Sequence, residues 1–235
     1  MKLGIFTDPH YCNKEITCVT RRSLLSYQKI KEAMEHFAKE SVDAVICLGD
    51  LIDDCDSYEG NVKYALKLTE LINGYRIPFY CLMGNHDHLD FTREDFARIT
   101  GATPPFSIIM GDSLLVFLDC NHHDDGEPYS PKRADWTNSY LPKAQLDELE
   151  RVLGEDKDKK AYIFSHQPLE NTLEPVHTVR NGQAVRDIFK KAGNVMRAFA
   201  GHFHPGNEVT IDGVIYTTLP AMCEGEQNRY TIIEI

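Results

Sequence analysis

The sequence has 235 residues, 42% of them hydrophobic and 26% charged. That is chain enough to bury a sizeable core, and with no Pro/Gly/Ser-rich linker, low-complexity tract or internal repeat, a single domain over 1–235 is expected. The net charge is −11, from 36 acidic against 25 basic residues that gather in no long run, which argues against long nucleic acid as a partner.

No apolar run approaches the roughly 18 residues of a spanning helix, so no membrane partner is expected. MKLGIFTD is too short and too mixed for a signal peptide. Seven cysteines, an odd number with no CxxC pair, read as reduced thiols. A cytoplasmic protein follows from these features.

In chain order, LGIFT reads as a buried strand and Arg21 to Glu40 as a helix with Leu24, Leu25, Ile30, Met34 and Phe37 on one face. The strand Val42 to Leu48 completes a βαβ unit. A second unit runs through a helix at Val62 to Ile72 to a strand at Ile77 to Met83, with parallel pairing and a right-handed crossover. After a short helix near Glu94 to Ile99, SIIM and SLLVFLDC flank Gly111-Asp112, a hairpin signal that adds antiparallel pairing. Asn121 to Tyr140 shows no periodicity, and a loop of that length in a compact domain is usually functional or disordered. Helices follow at Leu141 to Leu153, with Pro142 in the first turn, and at Gly182 to Ala192. The closing strands VTID, VIYTT and YTIIEI surround the turn Asp212-Gly213. The elements add up to an α/β fold, two mixed β-sheets packed face to face and flanked by helices.

The chemistry sits where strands end. LGIFT runs into Asp8 and His10, VDAVICLG into Asp50, IPFYCLMG into Asn85 and His86, AYIFS into His166, and VMRAFAG into His202 and His204. Open α/β sheets place ligands outside the carboxyl ends of their strands, so donors from five distant stretches converge on one edge. In Asp8-x-His10 and His202-x-His204 the period of two in extended chain keeps both side chains on one side. A lone His or Asp after a strand is ordinarily a turn former or a helix cap. Five strand ends that all carry a metal-capable donor, three of them beside Gly, point instead to a metal cluster.

Asp8-x-His10, Gly49-Asp50-x-x-Asp53, Gly84-Asn85-His86-Asp87, His166 and Gly201-His202-x-His204, in this order over residues 8 to 204, resemble the calcineurin-like metallophosphoesterase family. The resemblance implies the family's four-layer sandwich and two divalent or mixed-valence ions, of manganese, iron, zinc or cobalt. It implies that Asp8, His10 and His204 hold one ion, that Asn85, His166 and His202 hold the other, and that Asp50 bridges them. Such a pair acidifies a shared water and clamps phosphoryl oxygens, so the implied reaction is hydrolysis by in-line attack of a metal-bridging hydroxide. Two divalent ions outweigh Asp8, Asp50 and that hydroxide by about one charge, which favours an anionic substrate despite the net charge. His86 is implied as general acid or transition-state stabiliser, oriented by Asp53, with Asp54 or Asp56 as neighbours able to take that part. Asp87 is expected to bond backbone amides in the turn.

For substrate, the compact bacterial branch of the family implies a small phosphodiester or nucleotide-type molecule. The alternatives are a nucleoside-diphosphate-linked pyrophosphatase of ADP-ribose or CDP-alcohol type, a phosphomonoesterase, and a non-catalytic scaffold, which the complete donor set argues against. No Tyr stands beside Asp50, where a purple acid phosphatase would carry one for its ferric ion. Arg21 and Arg22 could meet a second phosphate, and His122, His123 and Tyr129 of the long loop are candidate substrate contacts. His36 and His177 are read as bystanders.

Overall fold

A computed structural model of the chain describes residues 1–53, 56–104 and 106–235. Its first sheet holds β1 (Lys2–Phe6), β2 (Ala44–Cys47), β3 (Phe79–Cys81) and β10 (Thr231–Glu234) in the order β10-β1-β2-β3. β1, β2 and β3 run parallel and β10 closes the edge antiparallel. The second sheet holds β4 (Ser107–Met110), β5 (Ser113–Leu118), β6 (Lys160–Ser165), β7 (Val195–Ala200), β8 (Asn207–Ile211) and β9 (Val214–Thr218) in the order β4-β5-β6-β7-β9-β8. Its centre is parallel, and the hairpins β4–β5 and β8–β9 turn at Gly111-Asp112 and Asp212-Gly213, as the sequence predicts.

Burial on both faces explains why the central strands β1, β2, β5, β6 and β7 carry near-continuous apolar runs. Leu3, Ile5, Ala44 and Ile46 of the first sheet meet Leu115, Phe117, Phe164 and Phe199 of the second in one buried cluster. Outside the first sheet pack α1 (Ser26–Lys39), α2 (Tyr58–Asn73) and α4 (Arg93–Thr100), which contribute Ile30, Phe37, Leu68 and Phe96 to a second cluster, while the short α3 (Asp87–Asp90) follows the turn after β3. Outside the second sheet pack α5 (Lys143–Glu155) and α6 (Gly182–Ala192), through Leu149, Leu153, Val185 and Phe189. The result is the expected α/β/β/α sandwich.

Several boundaries differ from the sequence reading for physical reasons; α2 starts at Tyr58 instead of Val62 because Ser57 caps it by accepting from the Gly60 amide. The first helix begins at Ser26 after a 3-10 turn at Ser23–Leu25, because Arg21 pairs its backbone with Thr17 and Glu224 instead of entering the helix. Pro142 precedes α5 as its N-cap, since extended backbone there (ψ 154°) holds it outside the first turn. Among the described residues no helix is long and apolar enough to cross a membrane. Cys12 is disulfide-bonded, which overturns the expectation that every thiol is reduced, whereas Cys18, Cys47, Cys81, Cys120 and Cys223 are free.

Candidate metal centre and active site

The carboxyl ends of β1, β2, β3, β6 and β7 bring the seven predicted donors to one place. The backbone there is bent to do so. Asp8, His10, Asp50 and His202 hold φ between +43° and +67°, a left-handed conformation that side-chain-bearing residues adopt at a cost. Two glycines allow the carboxylates in. A Cβ on Gly84 would lie 2.0 Å from Asp50 Oδ1, and one on Gly201 would lie 2.4 Å from Asp8 Oδ2.

Each carboxylate is held by one oxygen and presents the other. Asp8 Oδ2 accepts from Thr7 Oγ1 and from the His202 amide at 3.0 Å, while Oδ1 lies 3.7 Å from His10 Nε2 and 3.6 Å from His204 Nε2. Asp50 Oδ1 accepts from the His86 amide at 2.8 Å, while Oδ2 lies 3.4 Å from both His10 Nε2 and His166 Nε2. His166 Nε2 is also 3.1 Å from Asn85 Oδ1. The far ring nitrogens are anchored, His166 Nδ1 on the Leu48 carbonyl at 3.0 Å and His204 Nδ1 on Glu224 Oε1 at 2.7 Å. Such anchoring fixes the tautomer and aims Nε2 inward.

This donor set fits a metal pair. Ligands held about 2.1 Å from one ion at angles of about 90 to 120° lie about 3.0 to 3.6 Å from one another, which is the spacing found here. Asp8 Oδ1, His10 Nε2 and His202 Nε2 are buried with no hydrogen-bond partner, a state that costs about 1–3 kcal/mol per atom unless something else satisfies them. Among the described residues the ligand atoms of Asp50, His166 and His202 lie within 4.8 Å of one another, as do those of His10, His204 and Cys223. Cys223 was not expected from the sequence, where no cysteine stands among the donors; burial pushes its thiol up.

Burial drives His10 down to about 4 and His202 to about 3, so both imidazoles are neutral donors. Burial also lowers His166, but the Asp50 carboxylate beside it outweighs that and raises it to about 9. A cation seated against Asp50 would take the place of that proton. Asp87 is pushed up to about 7 by burial and by the charge of Asp50, although it accepts from the amides of Gly84, Leu51 and Ile52 at 2.9–3.3 Å. Its amide-bonding role is as expected.

His86 Nδ1 lies 3.3 Å from Asp53 Oδ1. Burial raises Asp53, but the bond to His86, with help from His10 and Thr17, holds its carboxyl well below the usual range. Of the neighbours able to replace it, Asp56 is engaged with Tyr64 Oη at 2.6 Å, and Asp54 lies outside the described residues. Arg21, its side chain 14% exposed, places Nη1 3.4 Å from His86 Nε2, 3.4 Å from His10 Nδ1 and 3.5 Å from Asp53 Oδ1.

A cavity of about 560 Å³ opens over this cluster, lined among others by Arg21, Asp50, Asn85, His86, His202 and His204. Arg22 points elsewhere, its Nε 3.1 Å from Glu226, and lines a separate groove with Tyr11 and Leu24. His122, His123 and Tyr129 are not among the residues lining the cavity; His123 and Tyr129 are buried in their own loop, their rings 4.7 Å apart. From the same loop Trp136 does reach the cavity, and so does His177, a bystander on the sequence alone. Their signal was weak: both lie in segments without periodicity.

The profile of the family described as calcineurin-like phosphoesterase matches residues 1–206. Among curated relatives, the manganese-dependent ADP-ribose/CDP-alcohol diphosphatase of Xenopus tropicalis is 23% identical over 91% of this chain and 84% of its own. A probable glycerophosphodiester phosphodiesterase of Arcobacter nitrofigilis is 25% identical over 71% of this chain and 58% of its own. A solved dimetal phosphatase from Danio rerio superposes with a TM-score of 0.86 at 18% identity, covering 99% of this chain and 91% of that one, a likeness of fold.

Proposed function

Because the chain belongs to the calcineurin-like phosphoesterase family and is a metal-dependent phosphoester hydrolase, we propose that it hydrolyses a small phosphodiester or nucleotide-type substrate at the cluster described above. In this reading Asp8, His10 and His204 hold one ion, Asn85, His166 and His202 the other, and Asp50 serves both. The observation that carries it is Asp50 Oδ2, equidistant at 3.4 Å from an imidazole of each set. Bound there, the metal pair supplies Lewis acidity toward the phosphoryl oxygens and an acidified water.

The protein's own groups do the rest. Thr7 and the His202 amide fix Asp8, and the His86 amide fixes Asp50, so neither carboxylate reorganises as charge develops. Asp53 holds His86 by Nδ1, which leaves Nε2 to carry a proton toward the leaving oxygen. Arg21 contacts that Nε2 at 3.4 Å, and an anionic substrate competes for the guanidinium and draws it away from the ring.

Preference for a diester rests on the cavity, whose lining includes both Arg21, against His10 and His86, and Trp136, beside His202. A diester carries a substituent for each side, a monoester for only one. Metal-stripped protein reconstituted with manganese and assayed on bis-p-nitrophenyl phosphate and p-nitrophenyl phosphate tests this: the diester is expected to be the better substrate, and a monoester preference overturns it.

A second reading, hydrolysis of a nucleoside-diphosphate-linked molecule, is favoured by Arg21, a mostly buried cation beside the position assigned to the leaving group. It also agrees with what the Xenopus relative's name says that protein acts on. Arg21→Ala should then raise KM for ADP-ribose at least about tenfold more than for bis-p-nitrophenyl phosphate. Equal effects on both would remove Arg21 as a contact to a second phosphate. A single domain over 1–235 completes the proposal; the cytoplasmic setting loses the support of fully reduced thiols with the bond at Cys12.

A further inference from the structure

The two sides of the cavity differ in chemistry. Arg21 abuts His10 and His86 on one side. On the other, Trp136 stacks on His177 with ring centroids 5.8 Å apart and planes at 27°, and lies 5.8 Å from His202. His177 in turn contacts Phe203 at 5.1 Å. Trp136, His177 and Phe203 all line the cavity, and all come from segments outside the sheets.

Trp136 is 46% exposed, an unusual placement for the largest apolar side chain. It is not on a loose end. Its loop is pinned by Arg93, which donates to the carbonyls of Asn121 and Tyr129 at 3.0 and 3.2 Å, and by Gln167, which donates to Asn121 Oδ1 at 2.7 Å. Tyr129 of the same loop is buried and its hydroxyl donates to the Asp135 carbonyl, next to the tryptophan. A fixed, half-open indole backed by an imidazole offers a flat π surface. Planar heterocycles stack on such surfaces with little regard to their hydrogen-bonding edges.

We propose that Trp136, with His177 and Phe203 behind it, forms an aromatic wall that stacks the base of a nucleotide-type substrate, and that a base is therefore part of what this site recognises. The inference rests on the phosphoester-hydrolase reading of the same site. It assigns the base to the His202 side of the cluster and the remaining phosphate to the Arg21 side, which gives a nucleoside-linked ester two anchors about the reacting phosphorus. A cavity of about 560 Å³ is in the range that holds ligands of nucleotide size.

Trp136 is the sole tryptophan of the chain, so emission excited at the red edge of indole absorption reports this wall alone. The full-length protein, metal-stripped and manganese-loaded in parallel, is titrated with AMP and with ribose 5-phosphate, which carries a phosphate and a sugar but no base. AMP is expected to change the emission saturably in at least one form, and ribose 5-phosphate is not. By calorimetry, Trp136→Leu should weaken AMP binding about tenfold, and Trp136→Phe, which keeps a ring, should recover most of it. No response to AMP in either form, equal responses to the two ligands, or AMP binding by Trp136→Leu as tight as wild type would overturn the proposal. The fluorescence reads base contact without turnover. Failure of the hydrolase reading shows separately, as absence of turnover of every diester by the manganese-loaded protein.

Discussion

The site is organised around carboxylates that divide their oxygens. Asp50 gives one oxygen to the His86 amide and turns the other to His10 and His166; Asp8 gives one to Thr7 and the His202 amide and turns the other to His10 and His204. A charge held in this way is already oriented when a cation arrives. His86 has a different job: its amide positions Asp50, while its ring answers to Asp53 and Arg21. Removing the ring while keeping the backbone separates the two. His86→Ala should retain both ions by elemental analysis and lose about 100-fold or more in kcat, the usual scale for general acid catalysis. Full turnover in that variant would remove the ring from the mechanism.

At the scale of elements, the donors arrive because strands end where they do. Five apolar runs each followed by a polar donor were enough to foresee the edge of the sheets where they meet, since strand ends share a location in this class of fold. The hairpins at Gly111-Asp112 and Asp212-Gly213 were legible for a similar reason, a turn signal between apolar runs. Trp136, His177, Cys223 and Glu224 were not, because they come from irregular segments whose course is set by tertiary bonds such as Arg93 to Asn121 and Lys29 to the Met222 and Gly225 carbonyls. Periodicity carries no information there. The start of α1 was missed because Arg21 pairs its backbone with Thr17 and Glu224, contacts that no periodicity reveals. The turn after β3 shows how closely element and site are joined: a methyl group on Gly84 would collide with Asp50 Oδ1 and with its amide. Gly84→Ala should therefore keep a folded circular dichroism spectrum yet bind manganese at least about tenfold more weakly than wild type, and undiminished affinity would mean that Asp50 has room to move.

At the scale of the molecule, two sheets share one apolar interior while their common edge gathers buried charge and partnerless nitrogens. The fold therefore carries at that edge groups that a bound cation would satisfy. Metal binding should stabilise the whole chain by mass action, about 2.7 kcal/mol when free manganese stands at 100 times Kd. For a chain of this size that corresponds to a rise in Tm of about 5 to 10 °C, to be read by calorimetry before and after chelation. An unchanged Tm would mean that the ions do not bind the folded chain in preference to the unfolded one.

The central claim is that two ions share Asp50. The most direct measurement is electron paramagnetic resonance of the manganese-reconstituted protein beside elemental analysis, on wild type and on Asp50→Asn, with thermal melts to show that the variant is folded. The account predicts two ions per chain with a spin-coupled signal in the wild type, and loss of coupling together with reduced manganese content in Asp50→Asn. A folded variant that retains two coupled ions would contradict it.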